Sequence, residues 1–130
     1  IGDGELRHQL TAPNITVTGW FNHYEQGLQK LEALDLYLQT SLWEGLPIAL
    51  LEASAREIPI VATNIIGNKD IVAAGKTGFL FDAEYEFDQI LKKSKNQSTR
   101  IALGNAAKKR TAILFNSAVN FQKLIRLYQA

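Results

Sequence analysis

The middle of the chain alternates between short apolar runs and longer segments whose apolar residues recur at helical spacing. The runs at residues 34–40, 59–63 and 78–81 are bounded by turn residues, which is typical of buried strands. Residues 15–19 alternate and carry β-branched side chains, so they predict a further strand. Strands separated by helices favour a parallel sheet covered by helices on both faces. The pattern therefore predicts an α/β fold with a doubly wound parallel sheet.

The segments between these runs have the periodicity of helices. The segment that starts at Pro47 is apolar on almost every face, which is typical of a helix buried in a layered protein. Pro47 suits its first turn, and Ser98 or Thr99 is expected to cap a later helix. The predicted helices cover residues 5–10, 24–34, 47–56, 68–74, a segment around 87–91, 98–109 and 116–129.

Composition narrows the class of protein. The chain has 130 residues and 46% of them are hydrophobic, which fits one domain with a substantial core. A formal net charge of +1 gives no support for a nucleic-acid partner. The absence of cysteine excludes a disulfide framework, and no apolar run approaches the roughly 20 residues of a membrane span. We therefore expect a cytoplasmic location or the cytoplasmic face of a membrane.

Two carboxylates in the stretch SLWEGLPIALLEASA, residues 41–55, are candidate ligand-binding groups. Glu52 lies in the apolar helix, where a carboxylate needs hydrogen-bond donors, and sugar hydroxyls would supply them. Glu44 precedes the turn that leads into this helix. In the alternative interpretation both glutamates are ordinary solvated charges, and the chemistry alone supports the two interpretations equally.

The turn itself is suited to bind a phosphate. Gly45 permits a ligand to approach the backbone closely. The first free N–H groups of the helix, in the stretch Leu46, Pro47 and Ile48, combine with the positive end of the helix dipole to favour an anion. A phosphate together with hydroxyl-bearing rings indicates a sugar nucleotide as the ligand.

Residues 34–81 resemble the nucleotide-binding domain of retaining glycosyltransferases with the GT-B fold, whose signature is Glu, seven residues, Glu. Here the signature is Glu44 and Glu52 within SLWEGLPIALLEASAREIPIVATNIIG, followed by TGFLF. The preceding Ser41, the turn after Glu44 and the strand PIVAT make the match specific. The resemblance covers nearly the whole chain, and it implies a Rossmann-like sheet that forms the C-terminal half of a GT-B fold.

The resemblance implies transfer of a sugar from a nucleoside-diphosphate sugar to a sugar, lipid or protein acceptor, with retention of configuration, in polysaccharide, lipopolysaccharide or glycoconjugate synthesis. It implies that Glu44 holds hydroxyls of the transferred sugar and that Glu52 binds the ribose. The helix N-terminus would stabilise charge on the leaving diphosphate, so neither a metal nor a further cofactor is expected. Four more positions are implied as donor contacts: Gly4, Phe21, Gly67 and Asn68.

Some features depart from the family's pattern. Relatives usually carry glycine at the position of Glu57, where it ends the helix. The chain has no methionine, and the first strand of the family's domain is missing or cut short at Ile1. We therefore expect residues 1–130 to be the nucleotide-sugar-binding domain of a longer protein whose acceptor domain precedes Ile1. Such a fragment is expected to bind nucleotide weakly and to be inactive alone.

Three other classes of protein share parts of this pattern. A GT-B-like epimerase or phosphorylase would have the same fold but different sugar-binding residues. A non-catalytic α/β binding module would not depend on either glutamate. A receiver-like domain would need an acidic cluster at its first strand end, where the chain has only Asp3.

Overall fold

A computed structural model describes residues 3–129, and the chain divides into two compact units, Ile1–Ala33 and Leu34–Ala130. The first unit contains a short 3-10 helix at Glu5–Gln9 and the helix α1 at Tyr24–Glu32. The second unit contains a parallel sheet and the remaining helices.

The sheet of the second unit has three parallel strands in the order β1-β2-β3. The strands are β1 (Tyr37–Gln39), β2 (Ile60–Thr63) and β3 (Gly78–Phe81). Residue 37 pairs with residue 60, and residue 60 pairs with residue 78. The helices of this unit are α2 (Ile48–Ala55), α3 (Asn68–Ile71), α4 (Glu84–Ser94), α5 (Gln97–Leu114) and α6 (Ser117–Tyr128).

The core of this unit is built around the central strand. Ile60, Val61 and Ala62 of β2 have 0% exposed surface, because β2 has a strand on either side and helices pack on the sheet. α2 contributes Leu50 and Ala53, which are also fully buried. α2 packs on β2 and α5, and α4 packs on β3 and α5. This arrangement fixes the carboxyl ends of β1 and β2 side by side.

The predicted fold class is confirmed: the structure is a Rossmann-like α/β arrangement with a parallel sheet and flanking helices. The prediction of a strand at residues 15–19 is wrong, because residues 15–18 are irregular and Gly19 has only an isolated bridge position. β propensity forms a strand only where a neighbouring strand offers hydrogen bonds, and residues 3–33 contain no other strand. Ile1, where the first strand of the family's domain is expected to be cut short, lies outside the described residues.

Several helix ends differ from those predicted. Pro47 is the N-cap of α2 rather than a residue of its first turn. α5 is capped by Asn96, whose side chain accepts a hydrogen bond from the Thr99 N–H, and it extends to Leu114 rather than to residue 109. α3 ends at Ile71, three residues before the predicted end.

α2 is not buried on every side as predicted. Its first residue, Ile48, is 59% exposed, and Ala55 at its last position is also exposed. Glu52 is half-buried, so it lies at the edge of the apolar face rather than within it. Among residues 3–129, no helix combines the length and the apolar character that crossing a bilayer requires.

Glu57, at the end of α2, has a left-handed backbone conformation with a φ of 62°. A side chain in this region costs about 1–2 kcal/mol, which explains why glycine suits the position. α5 passes directly over this residue, since a Cβ atom added to Gly104 would overlap the Glu57 carbonyl oxygen. Lys108 Nζ lies 2.8 Å from Glu57 Oε1 on the same side. Gly104 therefore permits α5 to pack against the end of α2.

Gly104→Ala is expected to lower the free energy of unfolding by about 1–3 kcal/mol, because the new methyl group forces α5 away from Glu57. Denaturant unfolding measures the change. Asn105→Ala is the matched control, since Asn105 is the next residue of α5 and is exposed. Equal stability of the two variants would show that α5 does not contact the end of α2 in this way.

Candidate functional site

The polar side chains of the candidate site lie where β1 and β2 end. In parallel sheets, ligands bind at the carboxyl ends of the strands because the loops that follow the strands open there. β1 ends at Gln39 and is followed by the loop that carries Glu44. β2 ends at Thr63 and is followed by the loop that leads through Gly67 to α3. The two loops meet at this edge of the sheet.

The Glu44 carboxylate is held by two donors on a single oxygen. Ser41 Oγ donates to Glu44 Oε1 over 2.7 Å, and Gln39 Nε2 donates to the same oxygen over 3.1 Å. Glu44 Oε2 has no hydrogen-bond partner within residues 3–129. One oxygen of the half-buried Glu44 is therefore fixed by the protein, and the other is not engaged by any described residue.

The same hydrogen-bond network continues into β2 and α3. Gln39 Nε2 also donates to Asn68 Oδ1 over 3.2 Å. Asn68, which has 0% exposed surface, donates through Nδ2 to the Thr63 carbonyl oxygen over 2.9 Å and to Thr63 Oγ1 over 3.2 Å. Thr63 Oγ1 in turn donates to the Ser41 carbonyl oxygen over 2.6 Å. The contacts form a closed ring that joins both strand ends, α3 and the Glu44 loop.

Gly67 brings the two loops into direct contact. Its φ of +70° lies in the left-handed region, and a Cβ atom added to it would be 2.8 Å from the Glu44 carbonyl oxygen and closer still to that of Gly45. A larger residue would therefore meet both a backbone strain and a steric clash. The glycine sets the distance between the Glu44 loop and the start of α3.

Glu52 and Glu44 both influence Tyr37 of β1. Burial raises the pKa of the Tyr37 phenol above its usual value of 10.0, and the negative charges of Glu52 and then Glu44 raise it further. Both glutamates of the spaced pair therefore act electrostatically on the same residue of β1.

The remaining predicted positions fall into two groups. Leu46 and Ile48 flank the N-cap of α2 and are 47% and 59% exposed, and Gly45 is also exposed, so this helix start is accessible to a ligand. Gly4 and Phe21 belong to the first unit, where Gly4 lines an open surface cavity of about 480 Å³ and the Phe21 ring packs near Gly27. Their role as donor contacts stays a prediction.

Sequence reasoning missed Gln39 and Thr63. The signal for Gln39 was present, since it is a polar residue in an otherwise apolar predicted strand and is only 9% exposed. The Asn68 side-chain amide bonds to Thr63 and Gln39, and the predicted role of Asn68 as a donor contact stays a prediction. Within residues 3–129, no three His, Asp or Glu side chains are grouped to hold a metal ion.

Residues 5–110 identify the class of protein. The family described as "Glycosyl transferases group 1" matches residues 5–110, which is most of the chain. The chain therefore belongs to the glycosyl transferases group 1 family. The candidate site lies inside the matched region.

The chain is similar to curated glycosyltransferases, one of which is named for capsular polysaccharide biosynthesis. The chain is 34% identical over 91 residues, or 63% of its length, to the Escherichia coli UDP-Gal:alpha-D-GlcNAc-diphosphoundecaprenol alpha-1,3-galactosyltransferase, and covers 23% of that protein. It is 26% identical over 119 residues, or 89% of its length, to the Staphylococcus aureus capsular polysaccharide biosynthesis glycosyltransferase CapM, and covers 30% of it. The chain thus spans about a quarter of the length of these relatives.

Solved structures share the fold. S. aureus TarM, in a complex with Fondaparinux, alpha-GlcNAc-glycerol and UDP, superposes with a TM-score of 0.78 at 22% identity over 96% of this chain and 24% of TarM. Anabaena HepE in complex with UDP-glucose gives 0.68 at 23% identity over 78% of this chain and 29% of HepE. Both are structural neighbours with the GT-B fold, so the GT-B expectation for the fold is confirmed.

Gly67→Ala is expected to destabilise the protein more than Gly75→Ala. Both glycines have nearly the same φ, +70° and +71°, so both substitutions share the cost of a left-handed alanine. Only Gly67 has a backbone neighbour where the methyl group would go, which adds about 1–3 kcal/mol. Parallel urea unfolding of the two variants measures the difference. Equal losses would contradict the contact between the two loops.

Glu52→Gln is expected to lower the pKa of Tyr37 towards 10.0 without reaching it, because burial is the larger cause and Glu44 remains. A raised pKa favours the neutral phenol in the folded state, so Tyr37 stabilises the fold below pH 10 and this contribution is lost as the pH rises through the raised pKa. A pH titration of the tyrosine ring carbons by NMR measures the shift. Glu84→Gln, at an exposed position of α4, is the control. If the pKa of Tyr37 is the same in Glu52→Gln as in the parent chain, the charge of Glu52 does not act on Tyr37.

Proposed function

We propose that this chain binds a nucleoside-diphosphate sugar as the donor-binding part of a retaining glycosyltransferase. The observation that carries the proposal is the Glu44 carboxylate, fixed through one oxygen by Ser41 and Gln39 and open at the other. Its place at the strand ends, beside an accessible helix start, is where a nucleotide ligand is expected in a parallel α/β sheet.

In this proposal the two carboxylates bind different parts of the donor. Glu44 Oε2 accepts a hydrogen bond from a hydroxyl of the transferred sugar, and Glu52 accepts from the ribose hydroxyls. Hydrogen bonds to charged groups are worth roughly 1.5–3 kcal/mol each, which is enough to orient a donor. Both residues act as positioning groups for the reacting bond and neither needs to form a covalent intermediate.

The diphosphate is assigned to the start of α2. The unpaired N–H groups and the positive end of the helix dipole, at the Gly45 to Ile48 turn, would stabilise the negative charge that develops on the leaving group. Because this contribution replaces one that other transferases obtain from a divalent cation, we propose a reaction without a required metal.

The relatives favour uracil as the nucleobase. The E. coli relative is named for UDP-Gal, and the TarM and HepE structures contain UDP or UDP-glucose. Phe21 is proposed to contact the base and Gly4 to border the donor cleft. The acceptor is proposed to be a sugar, free or linked to a lipid, as in the E. coli relative's GlcNAc-diphosphoundecaprenol.

Isothermal titration of this chain with UDP, UDP-glucose, UDP-galactose and UDP-GlcNAc tests the proposal. At least one UDP-sugar is expected to bind more tightly than UDP. Glu44→Gln is expected to weaken that UDP-sugar about tenfold and UDP hardly at all, whereas Glu52→Gln weakens both by about tenfold, which corresponds to about 1.4 kcal/mol. The control is Glu84→Gln.

Two results would contradict the proposal. Absence of binding heat for every nucleotide at millimolar concentration would exclude a preformed donor site. UDP-sugar binding that is unaffected by both glutamate substitutions would favour a binding module or a GT-B-like epimerase or phosphorylase with other sugar contacts. The anomeric configuration of a sugar transferred by the full-length protein, read from its NMR coupling constant, tests retention separately.

A further inference from the structure

We infer that Gln39 is a positioning residue that fixes the orientation of the Glu44 carboxylate, so that the site distinguishes a nucleotide sugar from the bare nucleotide. The inference rests on the proposed function, in which Glu44 contacts only the transferred sugar. Gln39 does not touch the donor in this scheme, and it acts through Glu44.

The position of the Gln39 side chain is defined by three contacts. The side chain is only 9% exposed at the end of β1. Its NH2 group has two hydrogens and faces two acceptors, Glu44 Oε1 at 3.1 Å and Asn68 Oδ1 at 3.2 Å. Its carbonyl oxygen lies 3.5 Å from Tyr37 Oη, within reach of a weak hydrogen bond from the phenol. The amide is therefore held at both ends.

A main-chain carbonyl group determines which atoms donate and which accept in these hydrogen bonds. The Thr63 carbonyl can only accept, so Asn68 must present its NH2 group to it and its oxygen to Gln39. Gln39 must then present its own NH2 group to the Asn68 oxygen, and the second hydrogen of that group points to Glu44. With the Gln39 amide reversed, its oxygen would face two other oxygens. The orientation is thus set by the backbone of β2 and transmitted to Glu44.

A glutamine side chain at this buried position destabilises the fold unless its amide forms hydrogen bonds. The strand end is buried, and an amide without partners there costs several kcal/mol by transfer scales. A leucine of similar size would satisfy the packing of a buried strand. No buried side-chain nitrogen or oxygen in residues 3–129 lacks a partner, so the network satisfies every polar group it buries. The amides of Gln39 and Asn68 orient the Glu44 carboxylate, which two apolar side chains could not do.

Loss of the Gln39 donor should affect the binding of the nucleotide sugar and not that of the nucleotide. Without the Gln39 donor, Glu44 is tethered by Ser41 alone and its carboxylate can rotate. A rotating acceptor loses part of its hydrogen bond to the sugar, while the diphosphate and ribose contacts on α2 are unchanged. The expected result is weaker binding of the nucleotide sugar with unchanged binding of the nucleotide.

The experiment compares Gln39→Leu and Gln39→Met with the parent chain in titrations with UDP and with the tightest UDP-sugar. Both variants are expected to lose about tenfold in UDP-sugar affinity and less than twofold in UDP affinity, since leucine removes the donor and methionine keeps an unbranched side chain that cannot donate. Gln89→Leu on α4 is the matched control, because Gln89 is an exposed glutamine of the same unit. Equal losses for UDP and UDP-sugar would mean a general structural role and would overturn the inference.

A double-mutant cycle shows whether Gln39 acts through Glu44. In a Glu44→Ala background, Gln39→Leu is expected to change UDP-sugar affinity less than twofold, because there is no carboxylate left to orient. A full tenfold effect in that background would overturn the inference. If the parent chain binds UDP and UDP-sugar equally, the proposed sugar contact of Glu44 fails rather than the hydrogen-bond network.

A measurement without ligand tests the network itself. The NH2 protons of Gln39 are expected to exchange slowly with solvent in the parent chain, and those of Asn68 likewise, because both are buried and bonded. Glu44→Ala is expected to accelerate the exchange of the Gln39 protons and leave those of Asn68 slow. Fast exchange of the Gln39 protons in the parent chain would overturn the inference independently of any nucleotide.

Discussion

The site depends on one main-chain acceptor, the carbonyl group of Thr63 at the end of the central strand. The strand is buried and paired on both sides, so this carbonyl cannot move without disturbing the sheet. Asn68 bonds to it, and the ordering of donors and acceptors passes through Gln39 to Glu44. The Glu44 carboxylate is thereby held in place by the sheet, although Glu44 lies in a loop five residues after the end of β1.

The glycine before α3 has a complementary part in this arrangement. Gly67 allows the main chains of the two loops to touch, which brings Asn68 within reach of Gln39. A hydrogen-bond ring of this kind works only at short distances, because hydrogen bonds weaken steeply beyond normal contact lengths. The orientation of the Glu44 carboxylate therefore depends on the close approach of the two loops that Gly67 permits.

The sequence revealed the features that are local along the chain. The strands of the second unit, the turn at Gly45 and the pair Glu44 and Glu52 were found because their signals lie within a few residues of one another. The partners of Gln39 and Thr63 were not found, since Asn68 is 29 residues from Gln39 and Ser41 is 22 residues from Thr63. Only the register of β1 against β2 brings these groups together. The strand predicted at residues 15–19 failed for a related reason, because strand formation depends on a neighbour that sequence propensity does not supply.

A hydrogen-bond acceptor that is fixed before a ligand arrives has a stereochemical consequence under the proposed function. Epimeric sugars differ only in the direction in which one hydroxyl leaves the ring, and a carboxylate free to follow the hydroxyl would accept either epimer. The Glu44 oxygen that is open to ligands is oriented through its partner oxygen by Ser41 and Gln39. Discrimination between axial and equatorial hydroxyls would then originate in a buried amide pair that the sugar never contacts.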